Sequence, residues 1–527
     1  MSVGWQHYYE LLERAVAQRG SCSVHQVIRA IALGTFGAVA VSGSSVLAQI
    51  TPDATLGQEN SIVTPNVDVR GLPADRIEGG AARGTNLFHS FSQFNVGNGQ
   101  RVYFTNPTGI ENILTRVTGN TLSNIFGTLG VDGGASLFLL NPNGIIFGPD
   151  ARLDIAGSFV ASTANGVVFD NGFAFSATNP EAPPLLTINV PLGLQNGSSR
   201  PGATIANSGN LSVGKNLGLA ADNLNLQGQL QAGGSLALFA SDTVQMRDTA
   251  TNPFVASAGG QLVVQGTRLV DIFALNHPES GFFSGGEMVL RSGNSVVGDA
   301  RYSSGGSFRI ERLDGNPGDL SSQKDPIIRS GGNVSFTNYF GTSLHILAGG
   351  SVTVPGIVAI TAPETGTVGV DYLAENVTLS DGTLVPINGR LRPTLDVRAG
   401  LNPANVGVPG VTGDNADLFF SGFFNFFGLI FPIPENPSLS NTATSADITI
   451  GGIAMLGNNA ADGLVFLSNQ YRPNTSLPGG NIEVGAIVTT DNVSQVLDQL
   501  PADLSNLLDS FGLLDGFTGN GGDVIVD

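Results

Sequence analysis

Few residues in this 527-residue chain have the chemistry of a reactive site. Beyond residue 48 there are three histidines, His89 in LFHSF, His277 in LNHPE and His345 in SLHIL, and no cysteine. None of them has a second histidine or a cysteine at ligand spacing, so neither a metal site nor a cofactor is expected. The sequence has no GxSxG elbow, and no Gly-His-Gly or Asp-Asp pair of the kind found in polysaccharide hydrolases. Carboxylates distant in sequence could work together only if the fold stacked one strand over another. That leaves a glycan-degrading enzyme as the second reading, and a non-enzymatic protein as the first. The ending GNGGDVIVD has the flavour of a calcium-binding nonapeptide, but a single copy builds no site.

The residues that do stand out are turn formers. Asn141-Pro142-Asn143-Gly144 has the order of a type I turn, with Asn first, Pro of preset φ second and Gly fourth. Asn106-Pro107-Thr108-Gly109 repeats that order 35 residues earlier. Each follows an apolar run, VYFT or LFLL, and precedes an isoleucine, so each is expected to be a strand–turn–strand corner.

The elements that would carry such corners are legible in the composition. Glycine is 72 of 527 residues, hydrophobic residues reach 41% and charged residues only 12%. Disorder needs the opposite balance. Asp+Glu 42 against Lys+Arg 23 gives a net charge of −19, which disfavours binding to nucleic acid. Gly-Gly pairs begin at Gly233, Gly259, Gly285, Gly305, Gly331 and Gly349, at intervals of 26, 26, 20, 26 and 18, with further pairs at Gly451, Gly479 and Gly521. A short alternating run follows each of the first six: SLALFA, QLVVQG, EMVLRS, SFRIER, NVSFTN and SVTVPG. Alternate apolar residues such as Leu236 and Leu238 bury one face, and the glycines are expected to supply positive φ where the chain turns. A repeat of this length is one coil of a solenoid. Separate β-sandwiches would need turn signals every 8–12 residues in blocks of about 100, with a large aromatic core in each. The expected fold is therefore all-β, a right-handed parallel β-helix with short extra-helical hairpins and an N-terminal cap to cover the open sheet edge.

Residues 1–48 read as an extended export leader. Arg14, Arg19 and Arg29 are followed by the uncharged run Ala30–Val41, and small residues fit cleavage between Ala48 and Gln49. Twelve apolar residues are too few for a membrane span of about 20. With its lone cysteine, Cys22, in that leader, the mature chain must be held together by ladders and packing rather than disulfides.

Three strings carry a family resemblance: NLFHSFSQFNVGNGQRVYF at 86–104, NPTGIENILTRVTGN after it, and LFLLNPNGIIFGPDARLDIAGSFVAST at 137–163. Together they resemble the secretion domain of two-partner-secretion exoproteins, the filamentous-haemagglutinin N-terminal domain. The likeness runs from about 50 to about 300, and the form NPNGIIFG…GSFVAST is similar to cyanobacterial members. The resemblance implies transport by the Sec machinery into the periplasm, then passage through an outer-membrane TpsB-type barrel with POTRA domains. It further implies a secreted or surface-bound adhesin that meets glycans or proteins of other cells, or the carrier part of a contact-dependent toxin. In that family the motifs at Asn106, Pro107 and Gly109 and at Asn141, Pro142, Asn143 and Gly144 matter for secretion.

The organisation expected is a leader (1–48), the secretion domain (49–300), repeats (301–410), a Phe-rich segment (411–440) and further repeats (441–527) that read as the front of a longer exoprotein. Residues 417–434 hold seven phenylalanines broken by Gly422 and Gly428, read first as core stacking inside the rod and second as an exposed apolar patch for partners. Leucines at 497, 500, 504, 507, 508 and 514 read as two short amphipathic helices around Pro501. Asn207, Asn210, Asn216, Asn223 and Asn225 are expected to stack as side-chain ladders rather than bind ligands.

Overall fold

The computed structural model describes residues 49–169, 172–184, 191–195, 201–364, 373–407, 443–455, 463–489 and 522–527. The leader, the Phe-rich segment 417–434 and the leucine-rich segment 493–514 lie outside the described residues. Within them the chain winds as a parallel β-helix whose coils have three faces. The first face is a 15-stranded sheet, and the other two merge into a 23-stranded sheet. They merge because long strands such as Leu217–Leu226, Leu236–Arg247 and Val352–Ile360 bend around the shared corner. Inward side chains of all three faces form one continuous core. Phe254, Phe282, Tyr302 and Phe308 succeed one another inside it with ring centroids 5.1–5.4 Å apart. The sole helix among the described residues, Pro403–Val406, is one turn long, and no helix among them is long and apolar enough to cross a membrane.

Strand register gives the length of each coil. On the first face Leu230 lies on Ala256, Ala256 on Phe282, Phe282 on Tyr302, Tyr302 on Ile328 and Ile328 on Ile346. Those steps are 26, 26, 20, 26 and 18 residues, the same series as the glycine pairs. The glycines occupy one corner of successive coils, but not for the expected reason. Gly233, Gly259, Gly305, Gly331 and Gly349 are absent from the positive-φ positions. What they need is space: a Cβ at any of them would come within 3.0 Å of the carbonyl oxygen of the glycine one coil earlier. Gly259→Val should therefore cost about 3 kcal/mol. Gly134→Ala, where a methyl group meets nothing within 4 Å, should be neutral or slightly stabilising. Urea midpoints of the two variants check the contrast, and equal midpoints would refute the close-approach explanation.

The cap consists of antiparallel strands. Ile50–Pro52 and Ala81–Arg83 pair along the free edge of Asn86–Phe94. Ser61–Val69 is the edge strand of the first face and forms a hairpin with Leu72–Gly79, which pairs in turn with Arg101–Thr105. The hairpin turns at Arg70 and Gly71, φ 56° and 81°, the two positive values of a type I′ turn. Arg70 then reaches back to Asp154 (2.8 Å), whose carboxylate also accepts from the Tyr103 hydroxyl (2.7 Å), which pins the cap to later coils.

Two small antiparallel units sit outside the solenoid. Gly166–Phe169, Ala174–Ser176 and Pro191–Gln195 form one. Phe169 and Phe175 of that unit pack edge-on to Phe88, over an outer face that also holds Phe138 and Phe239. Ala374–Thr378 and Leu384–Asn388 form the other, whose Val377, Val385 and Ile387 cover Ile327, Leu347 and Phe466. Strands beneath these units, such as Leu236–Ala240, are buried on both faces, so alternation in sequence understates their burial.

Candidate functional site: the asparagine-proline corners and the cap

The two Asn-Pro segments are both corners, but different ones. Asn106–Gly109 links the first face, Arg101–Thr105, to the second, Asn112–Val117. Asn141–Gly144 links the second, Ser136–Leu140, to the third, Ile145–Phe147. The 35-residue spacing is thus not a coil length.

Asn141–Gly144 closes the expected turn, with the Gly144 N–H donating to the Asn141 carbonyl at 3.1 Å. The Asn141 side chain is fully buried. Its amide donates to Thr121 O and Ser123 Oγ, both at 3.0 Å, and its Oδ1 accepts from the Asn143 N–H at 3.0 Å. Asn143 Nδ2 donates to Gly119 O at 2.8 Å, and the Asn141 N–H donates to Ser162 O at 2.9 Å. Gly144 sits at φ 121°, and a Cβ there would press on Thr204 O. This corner therefore fastens the coil before it to the coil after it.

Asn106–Gly109 departs from the expected turn. Its closing bond is displaced by one residue, from the Ile110 N–H to the Pro107 carbonyl at 3.1 Å, with Gly109 at φ 84°. Asn106 stays outside the turn and bridges coils instead: its Nδ2 donates to Ile110 O (2.8 Å) and its Oδ1 accepts from the Ala135 N–H (3.0 Å). Pro107, Thr108 and Gly109 are exposed. One corner is a buried clamp and the other presents itself to solvent.

Gln49, the expected first residue of the mature chain, is exposed and its carbonyl accepts from the Asn95 N–H at 3.2 Å; Ala48 lies outside the described residues. Just beyond it is a polar knot that sequence reading missed. Asp53 accepts from the hydroxyls of Thr55 (2.6 Å), Ser90 (2.9 Å) and Thr118 (2.5 Å). Burial pushes its carboxyl up, but these bonds outweigh that and hold it below the usual carboxylate range. Arg116, fully buried beside it, donates to Ser90 Oγ, Thr55 Oγ1 and the carbonyls of Ser176 and Glu181. Burial pushes its guanidinium down to about 10. The arginine binds cap, coil and extra-helical unit together. The sequence signal available was a lone Arg in the otherwise uncharged strand NILTRV.

The histidines stand apart from one another. His277 is in a loop whose N–H groups bond to Asp248, at 2.8 Å for His277 itself. His89 is fully buried, with Nδ1 at 3.0 Å from Ser61 Oγ and no partner for Nε2, and burial pushes it down to about 3. His345 sits between two buried carboxylates, Nδ1 at 3.0 Å from Asp396 and Nε2 at 3.3 Å from Asp325. Burial alone would lower it, but the two carboxylates outweigh this and raise it to about 9. The sequence hid this cluster because a hairpin is inserted between the strands of His345 and Asp396, which pair in register. The expected asparagine ladder is absent: Asn223 pairs with Thr204 and Thr243, Asn225 with Ala206 and Gln245, and Asn210 with Gln229. Asn207 and Asn216 bond to main-chain groups of the next coil instead, because carbonyls and N–H groups at the corners need partners.

Residues 48–310 match the family model described as the TPS secretion domain, a stretch that spans the cap and both asparagine-proline corners. No curated protein matches the chain. Among solved structures, the HMW1 secretion domain from Haemophilus influenzae is 15% identical with a TM-score of 0.35, and the match covers 84% of this chain and 100% of that one. The filamentous hemagglutinin secretion domain is 18% identical with a TM-score of 0.30, over 58% of this chain and 99% of that one. With residues 48–310 as its TPS secretion domain, the chain belongs to the family of two-partner-secretion exoproteins.

Proposed function

We propose that the chain crosses the inner membrane through the Sec machinery and the outer membrane through a TpsB-type barrel with periplasmic POTRA domains. At the cell surface or released from it, it acts as a non-enzymatic adhesin toward glycans or proteins of other cells. The family match over residues 48–310 is the observation that carries this reading. The solenoid supports a mechanism for outward movement. Each coil adds several buried aliphatic side chains at roughly 1.5–3 kcal/mol apiece before entropy is subtracted, so coils formed outside resist sliding back.

The two corners divide the labour of export in this reading. The exposed Pro107–Gly109 turn is the contact offered to the transporter, and the buried Asn141 corner lets the early coils close. Secretion from cells that co-express a TpsB-type transporter tests the division. Asn141→Ala leaves buried groups without partners and should cost about 2–3 kcal/mol, with a matching fall in protein reaching the medium. A Pro107→Ala, Thr108→Ala double variant should keep its urea midpoint within about 0.5 kcal/mol and still lose secretion severalfold. Normal export of the double variant would rule out the exposed corner as a contact, and normal export without the transporter would rule out the route.

A further inference from the structure

The chain has one Asp–Pro bond, Asp325–Pro326, and it lies at the buried His345 cluster. Asp325 is 3% exposed, and neither carboxylate oxygen receives a hydrogen bond. The main chain of Gly389 packs so closely over it that a Cβ there would overlap Asp325 Oδ2. His345, on the adjoining strand, donates its own N–H to the Pro326 carbonyl at 3.2 Å and places Nε2 at 3.3 Å from Asp325 Oδ2. Its other ring nitrogen is held by Asp396, which Arg398 grips through both oxygens at 2.8 Å, while Arg398 also reaches Glu375. Tyr339, the Lys324–Glu364 pair and buried Asp299, which accepts from the Lys324 N–H at 2.9 Å, are the further charged and titratable neighbours. The assembly contains a desolvated carboxylate, an amide of the weaker tertiary kind, a protonated imidazole and a carboxylate that orients it.

We propose that the folded chain cleaves its own Asp325–Pro326 peptide bond. An Asp325 carboxylate oxygen attacks the main-chain carbonyl carbon of the same residue and forms a five-membered cyclic anhydride. The C–N bond breaks, and the Pro326 nitrogen keeps the electron pair and takes a proton from His345 Nε2. Water then opens the anhydride to two carboxylates at the new C-terminus, returning one proton to the imidazole and one to the proline nitrogen. The balance is that of peptide hydrolysis, with water the one co-reactant. The nick falls beyond the end of the matched secretion domain at residue 310. The ladder joining Arg301–Ser304 to Ile327–Ser330 would keep the downstream piece in register on the upstream one.

The test is to hold the purified, folded full chain at neutral pH for several days and follow it by denaturing gel and intact mass. Two fragments are expected, one ending at Asp325 and one beginning at Pro326, formed at a rate independent of protein concentration and protease inhibitors. Asp325→Asn should abolish the cut, and His345→Gln should slow it about 100-fold. Pro326→Ala leaves every charged group in place and should also slow it, which tests the chemistry even if Asp325→Asn fails to fold. A chain that stays intact overturns the proposal, as does a cut that proceeds equally fast in urea.

Discussion

Between pH 6.5 and pH 3 the cap and first coils should lose roughly 4 to 5 kcal/mol of stability through His89 alone. The sign follows from where the proton can go. In the unfolded chain the imidazole takes a proton near pH 6.5, but in the folded chain burial against Phe91 and Phe104 delays this to about 3. The stability is fully present above 6.5 and is lost as pH falls. Asp53, held below the ordinary carboxylate range, acts in the same direction. His345 acts in the opposite one: its contribution of about 3 kcal/mol is complete below 6.5 and disappears as pH rises through about 9. Amide hydrogen exchange at pH 7 and pH 4 locates the effect, because in a solenoid each coil opens largely on its own neighbours' terms. Residues 86–117 should lose protection at pH 4 while residues 334–360 keep theirs. Unchanged protection at 86–117, or an undiminished acid response in His89→Phe, would show that His89 is not the titrating group.

Arg398→Met should cost about 3–5 kcal/mol, measured by guanidinium chloride unfolding. Arg398 is 1% exposed in its side chain, holds Asp396 and Glu375, and lies over the Tyr471 ring at 4.9 Å. Methionine can keep the ring contact, so the loss comes from leaving Asp396 buried with half its partners. The hairpin Ala374–Asn388, which supplies Glu375, should show faster hydrogen exchange than the coils beneath it. Adding Asp396→Asn should recover about half the loss, since the stranded charge is then gone. A double variant no more stable than Arg398→Met would point to packing rather than charge.

These residues also show how far the sequence could be read. Coil lengths were legible because glycine is tolerated at one corner and little else is, so the spacing of Gly233, Gly259, Gly285, Gly305, Gly331 and Gly349 is a direct record of register. The reason lay in a contact between coils rather than in φ, and no single coil contains that information. Local turn chemistry identified Asn141–Gly144 correctly, while the displaced bond at Asn106–Gly109 depends on Ala135, one coil away. The Asp325–His345–Asp396 cluster was hidden for the same reason: its members are neighbours across coils, and the hairpin inserted between two of them breaks the period that would have aligned them.

The column of glycines makes the architecture tolerant of wholesale editing. Wherever a segment begins at one such glycine and ends just before the next, its two junctions have the same shape, whether it holds 18 residues or 26. Unequal crossing-over at those codons would lengthen or shorten the gene by whole turns and leave every remaining turn seated. Selection can thus adjust the length of the solenoid without redesigning any of its parts.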